Sequence, residues 1–318
     1  MFREKLSTLI LVAALAGLGY MVVAGATDSA SIVRGIERVG WGPIALVLAL
    51  SVFNYALRYW RWRVYLRALG HNVPELPHIA VYIAGFAFTP TPGKSGEAVR
   101  SLYLLPYGVP GTESVGVLIG ERVLDLWAVS ILSVMLLGSL RTAAVLLALS
   151  FALASTLRTP FIQALMPKPK VLIRSLLPRR WTAKFRSMEG LQKVAGMLTQ
   201  PRLLVFGMST GFLAWLAEAV GLYVLAAALK SAMDPVIVIG VYGSSMLLGA
   251  VSFLPGGLGS TEAAMGFFLK LHGLSLDEAF VVTLLCRLAT LWFAVVLGLI
   301  AILWLIRHPR TTRKVIAP

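Results

Sequence analysis

The stretch that decides the fold is SFLPGGLGSTEAAMGFFLKLHGL, residues 252–274. It is apolar enough for a membrane, yet a Pro/Gly break and a glutamate interrupt it where an ordinary span runs on. An earlier stretch, AFTPTPGKSGEAVRSLYLLPYGV at 87–109, is its twin. At an offset of 165 residues, without a gap, Phe88, Pro90, Ser95, Glu97 and Ala98 fall on Phe253, Pro255, Ser260, Glu262 and Ala263. Leu104, Gly108, Glu113 and Val117 fall on Leu269, Gly273, Glu278 and Val282. Arg122, Leu126 and Trp127 fall on Arg287, Leu291 and Trp292. Apolar composition matches Leu or Ala by chance, but not glutamates, an arginine and a tryptophan in register. We read an internal duplication, with repeats at about 41–139 and 203–306 in a single membrane domain that takes in the whole chain.

Composition sets the class. Mean hydropathy is +0.82 and 14% of residues are charged, against roughly 25% in soluble domains. The reading is an all-α, polytopic helical membrane protein. One cysteine, Cys286, excludes an intrachain disulfide and argues against a thiolate metal site. The net charge, 29 − 14 = +15, falls mostly beside spans, as the positive-inside rule requires. No separate soluble segment is left to bind nucleic acid.

Residues 6–26 are long enough to cross a ~30 Å core and read as an uncleaved first helix, despite an Ala-Gly-Ala ending. Residues 28–40 read as a short polar connection. A span over 41–67 ends in Arg58, Arg61, Arg63 and Arg67 among Tyr59, Trp60, Trp62 and Tyr65. Basic and aromatic residues together anchor a helix at the interface. Arg58 and Arg61, one turn apart, also suit a lipid headgroup in a cavity, and that alternative stays open here.

Residues 77–89 and 95–106 are short apolar pieces around a Pro/Gly break, as are 236–254 and 260–271. Each pair reads as a re-entrant hairpin. Full spans are expected over 112–139, 141–160, 203–229 and 277–306. The hydrophilic segment 158–202 is strongly basic and reads as a cytoplasmic loop, with an amphipathic helix on an anionic leaflet as an option. Placing it inside puts both termini in the cytoplasm and makes the repeats inverted in topology, with about six full spans and two re-entrant hairpins. Many secondary transporters share that plan.

The chemistry is expected at the breaks. Lys94, Ser95, Ser260 and Thr261 stand where second half-helices would begin, and helix N-termini bind anions. Glu97 and Glu262 suit first turns, but a charge at membrane depth costs roughly 3 kcal/mol and calls for a partner. Arg122 and Arg287, on the following spans, are the expected partners. A purely structural Glu–Arg pair competes with a headgroup-binding role. Arg100, Glu121 and Asp125 have no charged counterparts at the 165-residue offset, so the cavity should be richer in charge on the first repeat's side. Glu218 is a further mid-span acid and a candidate proton site.

Other motifs fail. Gly93-Lys94-Ser95 lacks the glycine a P-loop requires at 88, where Phe stands. The histidines have no ligand spacing, and no cofactor is expected. GxxxG at 116–120 and 207–211 suits internal helix packing.

FLPGGLGSTEAAM, followed by a span with Arg287, resembles the C-terminal signature of the transmembrane flippase-like family of lysylphosphatidylglycerol synthases. PTPGKSGEAVRSLYL followed by Glu121-Arg122 resembles its N-terminal signature. The resemblance implies translocation of lipids between leaflets. Some members carry a soluble aminoacyl-transferase domain, and the sequence stops at Pro318 without one, so transport alone is expected. The expected function is a flippase for a phosphate-bearing lipid (aminoacylated, glycosylated or polyprenyl-linked) in the plasma (inner) membrane. Its expected partners are membrane lipids with anionic headgroups and, in one reading, a separate lipid-synthesising enzyme. The alternatives are a secondary transporter of a soluble anion and a lipid-binding accessory of such an enzyme.

Overall fold

The computed structural model describes residues 29–137, 140–156, 188–229 and 232–308, without the side chains of 29–33, 92–95, 153–156 and 188–189. The first span, the tail and most of the basic loop lie outside them. Every regular element among the described residues is helical. Helices at Trp41–Ala68, Pro201–Ala228 and Leu276–Arg307 are long and apolar enough to cross a membrane. The protein is an all-α membrane protein.

In chain order, α1 is Ser29–Val39 and α2 Trp41–Ala68, separated by Gly40 at φ +77°, where only glycine is unstrained. The polar connection expected at 28–40 is therefore a helix. Its apolar side, with Gly35, packs onto Val281.

The first hairpin is α3 (Glu75–Ala84), a 3-10 turn at Gly85–Phe88, a second 3-10 run at Pro92–Val99, then α4 (Arg100–Leu104). The long α5 follows (Gly111–Val134), then α6 (Leu140–Thr156) and α7 (Met188–Leu198). The second half repeats the order with α8 (Pro201–Ala228), α9 (Pro235–Val251), a 3-10 turn at Pro255–Gly257, and α10 (Ser260–Leu271). It ends with α11 (Leu276–Arg287), a π turn at Leu288–Trp292 and α12 (Phe293–Arg307).

The second arm of the first hairpin differs from expectation. A half-helix over 95–106 would present a summed dipole at its start, but α-helical geometry begins only at Arg100 and lasts five residues. Gly93 and Gly96 disfavour a helix. Thr91 Oγ1 accepts from the Gly96 N–H at 2.8 Å and donates to the Phe88 carbonyl at 2.7 Å, holding the tighter winding.

α2 and α8 are the central pair, and they run antiparallel in a fixed register. Val47 packs on Gly221, Asn54 Nδ2 donates to the Ala214 carbonyl at 2.8 Å, and Arg61 Nη1 lies 3.5 Å from the Gly207 carbonyl. These contacts recur every seven residues, the spacing of a supercoiled seam. Small residues on α8 let the backbones approach, and Gly207 and Gly211 of the second GxxxG lie under Tyr65 and Arg61. The first GxxxG, Gly116 and Gly120 of α5, receives Leu191, Val194 and Leu198 of α7 and its end.

The base of the first hairpin lies at the C-terminal end of α2, where His71 Nε2 is 2.7 Å from Glu113 Oε2 and Lys193 Nζ donates to the Leu69 carbonyl at 2.7 Å. The base of the second lies at the C-terminal end of α8, where Leu229, Asp277 and Glu278 share a cavity with Arg34 and Arg38 of α1. Because α2 and α8 are antiparallel, these bases stand at opposite ends of the bundle. The tips meet inside: a Cβ on Gly256 would stand 3.1 Å from Pro90 Cα. The long helices cross over. α5 packs along α9 and α12 along α3, with Gly240 and Gly298 set against the backbones of Leu136 and Ala87.

Candidate functional site

Where the first hairpin's tip meets α2 and α5, seven charged side chains converge. α2 supplies Arg58 and Arg61, which are 5% and 0% exposed. The hairpin supplies Glu97 and Arg100, each 1% exposed, and α5 supplies Glu121, Arg122 and Asp125. Asp125 is the hub: Arg61 Nη2 lies at 2.8 Å, Arg122 Nη2 at 3.3 Å and Arg58 Nη2 at 3.5 Å. Glu97 takes Arg100 Nη2 at 2.9 Å, the Thr89 hydroxyl at 3.3 Å and Arg122 Nη2 at 3.6 Å. Glu121 lies between Arg61 Nε at 3.5 Å and Arg100 Nη2 at 3.7 Å. Arg100 also stacks between Trp62, 4.4 Å from the ring centre, and Tyr82 at 4.8 Å.

Four guanidiniums face three carboxylates, so the ionised cluster carries one excess positive charge. Several guanidinium nitrogens, including Arg58 Nε, Arg100 Nη1 and Arg122 Nε, are buried without a protein hydrogen-bond partner, as are both Glu121 oxygens and Asp125 Oδ2. Unpaired buried donors are costly in a low-dielectric interior, and their natural complement is an anion with several acceptor oxygens. Arg122 is the member that reaches outward, its side chain 20% exposed. It shares a face of α5 with the exposed Ile119, Val123 and Leu126, an apolar face suited to lipid.

The second half has a simpler version. Arg287 Nε bonds Glu262 Oε1 at 2.6 Å, and Arg287 Nη2 donates to the Gly256 carbonyl at 3.1 Å. The expected Glu–Arg pair is thus present in both halves, tight in the second and loose in the first. Glu262 also accepts the Gly259 N–H at 2.7 Å, capping α10 as the bland reading required. The carboxylate already occupies the helix start that was expected to hold an anion. Ser260 and Thr261 serve the turn. Ser260 Oγ donates to the Gly257 carbonyl at 3.0 Å, and Thr261 is buried against Gly249. Lys94 and Ser95 fall on side chains outside the description.

Glu218 stands apart from the cluster and accepts a short hydrogen bond from the Tyr242 hydroxyl. It joins Arg58, Thr89 and Arg287 around a central cavity of about 40 Å³ between the two halves. A water needs roughly 10–15 Å³ of such space, so a few waters fit. The π turn after Arg287 borders this cavity, and the Tyr55 hydroxyl of α2 donates to the Thr290 carbonyl within it at 2.6 Å. π turns inside α-helices favour functional sites.

Arg58 and Arg61 are the residues that sequence reasoning placed second, as headgroup ligands behind interface anchors. Burial in the ion cluster removes the interface-anchor reading. The signal for Arg61 is tertiary, since it shares with Val47 and Asn54 the face that packs on α8.

With this geometry in hand, the protein belongs to the family described as the lysylphosphatidylglycerol synthase TM region, whose model matches residues 8–298. It is similar to a UPF0104 membrane protein of Methanothermobacter thermautotrophicus, 23% identical over 94% of this chain and 95% of the relative. It is also similar to the UPF0104 membrane protein PH1989 of Pyrococcus horikoshii, 23% identical over 81% of this chain and 86% of the relative.

Proposed function

We propose that the protein is a lipid flippase that moves a phosphate-bearing lipid between leaflets through the junction of its two hairpins. One observation carries this reading: a buried cluster with an excess arginine sits at the hairpin tips and reaches the lipid-suited face through Arg122. At the junction a phosphate would engage Arg122 before the buried donors of Arg58 and Arg100. Glu97 and Glu262 would face cationic or hydroxylated parts of the headgroup while the hydrocarbon chains stay in lipid. The family's association with a lipid-modifying synthase supports a lipid-related role.

The hairpins are then re-entrant and the halves are inverted repeats, a reading supported by bases at opposite ends and abutting tips. The localisation proposed is the cytoplasmic (inner) membrane, with both termini in the cytoplasm. The central cavity, about 40 Å³, is too narrow for a lipid headgroup, so passage requires the two halves to separate. Opening at Arg122 toward an apolar face favours a lipid over a soluble anion, which would need a water-filled entry.

Reconstitution in liposomes with a fluorescent phospholipid tests this. Wild type is expected to equilibrate the probe across leaflets, and Arg122→Ala and Glu262→Ala to slow it strongly. Equal rates for all three would remove these residues from the mechanism, and an inactive wild type would remove the transport function.

A further inference from the structure

A groove of about 430 Å³ runs between α10 and α11, within the size range of ligand sites. Its walls are apolar (Ala263, Gly266, Phe267 and Phe280 among them), with Glu262 at the deep end and exposed Lys270 near the hairpin base. Midway stands Thr283, 4% exposed, whose hydroxyl has no protein hydrogen-bond partner. It lies 3.9 Å from where a Cβ on Gly266 would stand.

At the 165-residue offset the first half closes this space. Gly266 and Ala279 correspond to Ser101 and Ser114, which are buried and hydrogen-bonded to each other at 3.0 Å. Thr283 corresponds to buried Leu118, and Lys270 to Leu105. The groove, its inner hydroxyl and its outer cation all belong to the second half alone.

We propose that this groove is the loading site for a glycerophospholipid, which enters on the second half only. The phosphate sits at Lys270, an ester carbonyl accepts from Thr283 Oγ1, and the acyl chain lies past Gly266 toward Glu262. Burial of the chain supplies affinity, and the hydroxyl fixes its depth. This rests on the flippase reading and adds the side of entry and the lipid class. A second apolar groove, about 420 Å³, lies between Trp41, Leu288 and Val296 and has no charged lining. It serves as an internal comparison for ordinary surrounding lipid.

The test uses the full chain in liposomes containing phosphatidylglycerol with a photoreactive acyl chain, with cross-linked peptides mapped by mass spectrometry and transport measured in parallel. Labelling within 260–287 is expected to exceed that of the Trp41–Val296 groove. Gly266→Leu, which puts a side chain into the groove without a backbone clash, is expected to cut it about tenfold. Equal labelling of both grooves in wild type overturns the site as surrounding lipid only, as does labelling that Gly266→Leu leaves unchanged. If wild type transports lipid without preferential labelling, the loading site fails and the flippase reading stands. If the groove labels as expected but wild type moves no lipid, the site stands and the flippase reading fails.

Discussion

Arg61 and Asp125 meet at 2.8 Å in the interior, joining α2 to α5 with an arginine that is wholly buried. Burying an ion pair costs desolvation of both charges, and its removal from one side leaves the other uncompensated. Arg61→Ala is therefore expected to destabilise the protein by about 3–5 kcal/mol, read as a lower unfolding midpoint in detergent. An unchanged midpoint would mean that Arg58 and Arg122 alone satisfy Asp125.

The proposed function gives Arg122 a part in recognition more than in stability. Its side chain is 20% exposed, and its carboxylate partners keep Arg61 and Arg100. Arg122→Lys keeps the charge but loses the planar fork that grips phosphate oxygens. With each lost charge-assisted bond worth about 1.5–3 kcal/mol, transport is expected to fall at least about tenfold with little change in melting. Equal loss of melting and transport would assign Arg122 to the scaffold.

The crossing of each long helix over the other half's hairpin depends on missing side chains. A Cβ on Gly240 would stand 1.9 Å from the Leu136 nitrogen, and one on Gly298 2.2 Å from the Ala87 nitrogen. Overpacking costs roughly 1–3 kcal/mol, so Gly240→Ala and Gly298→Ala should each lower the melting temperature. Gly42→Ala, with nothing within 4 Å of its Cβ, should not. Three equal melting curves would refute the close crossings.

Cys286 is fully buried and should resist a maleimide in the native protein. With Cys286→Ala as background, single cysteines at Asn72 and Ser275 report on the two hairpin bases. Membrane-impermeant maleimide in sealed vesicles is expected to reach them from opposite faces. Labelling of both from one face contradicts the inverted arrangement.

The interrupted helices and the Glu–Arg contacts were legible in the sequence, because residues recur in register. Both breaks and both Glu–Arg pairs follow from one offset. The role of Arg61 was harder to read, since an arginine among tryptophans at a helix end has the same composition whether it anchors to headgroups or turns inward. Only the heptad contact with α8 decides, and that is tertiary. The 3-10 winding at 92–99 escaped because Ser95 and Glu97 look like a helix start, while the hydrogen bonds by which Thr91 tightens the turn are not visible in the sequence. Helix α1 escaped because its Arg and Glu residues read as a loop until Val281 supplies a surface for its apolar side.

The contact of Gly256 with Pro90 has a mechanical consequence. On the proposed inverted arrangement, two fingers press on one another at their ends, with no side chain on Gly256 to cushion the touch. Neither can withdraw without giving the other room to advance. For the proposed flippase, the displacement that opens a passage toward one leaflet would then shut it toward the opposite one.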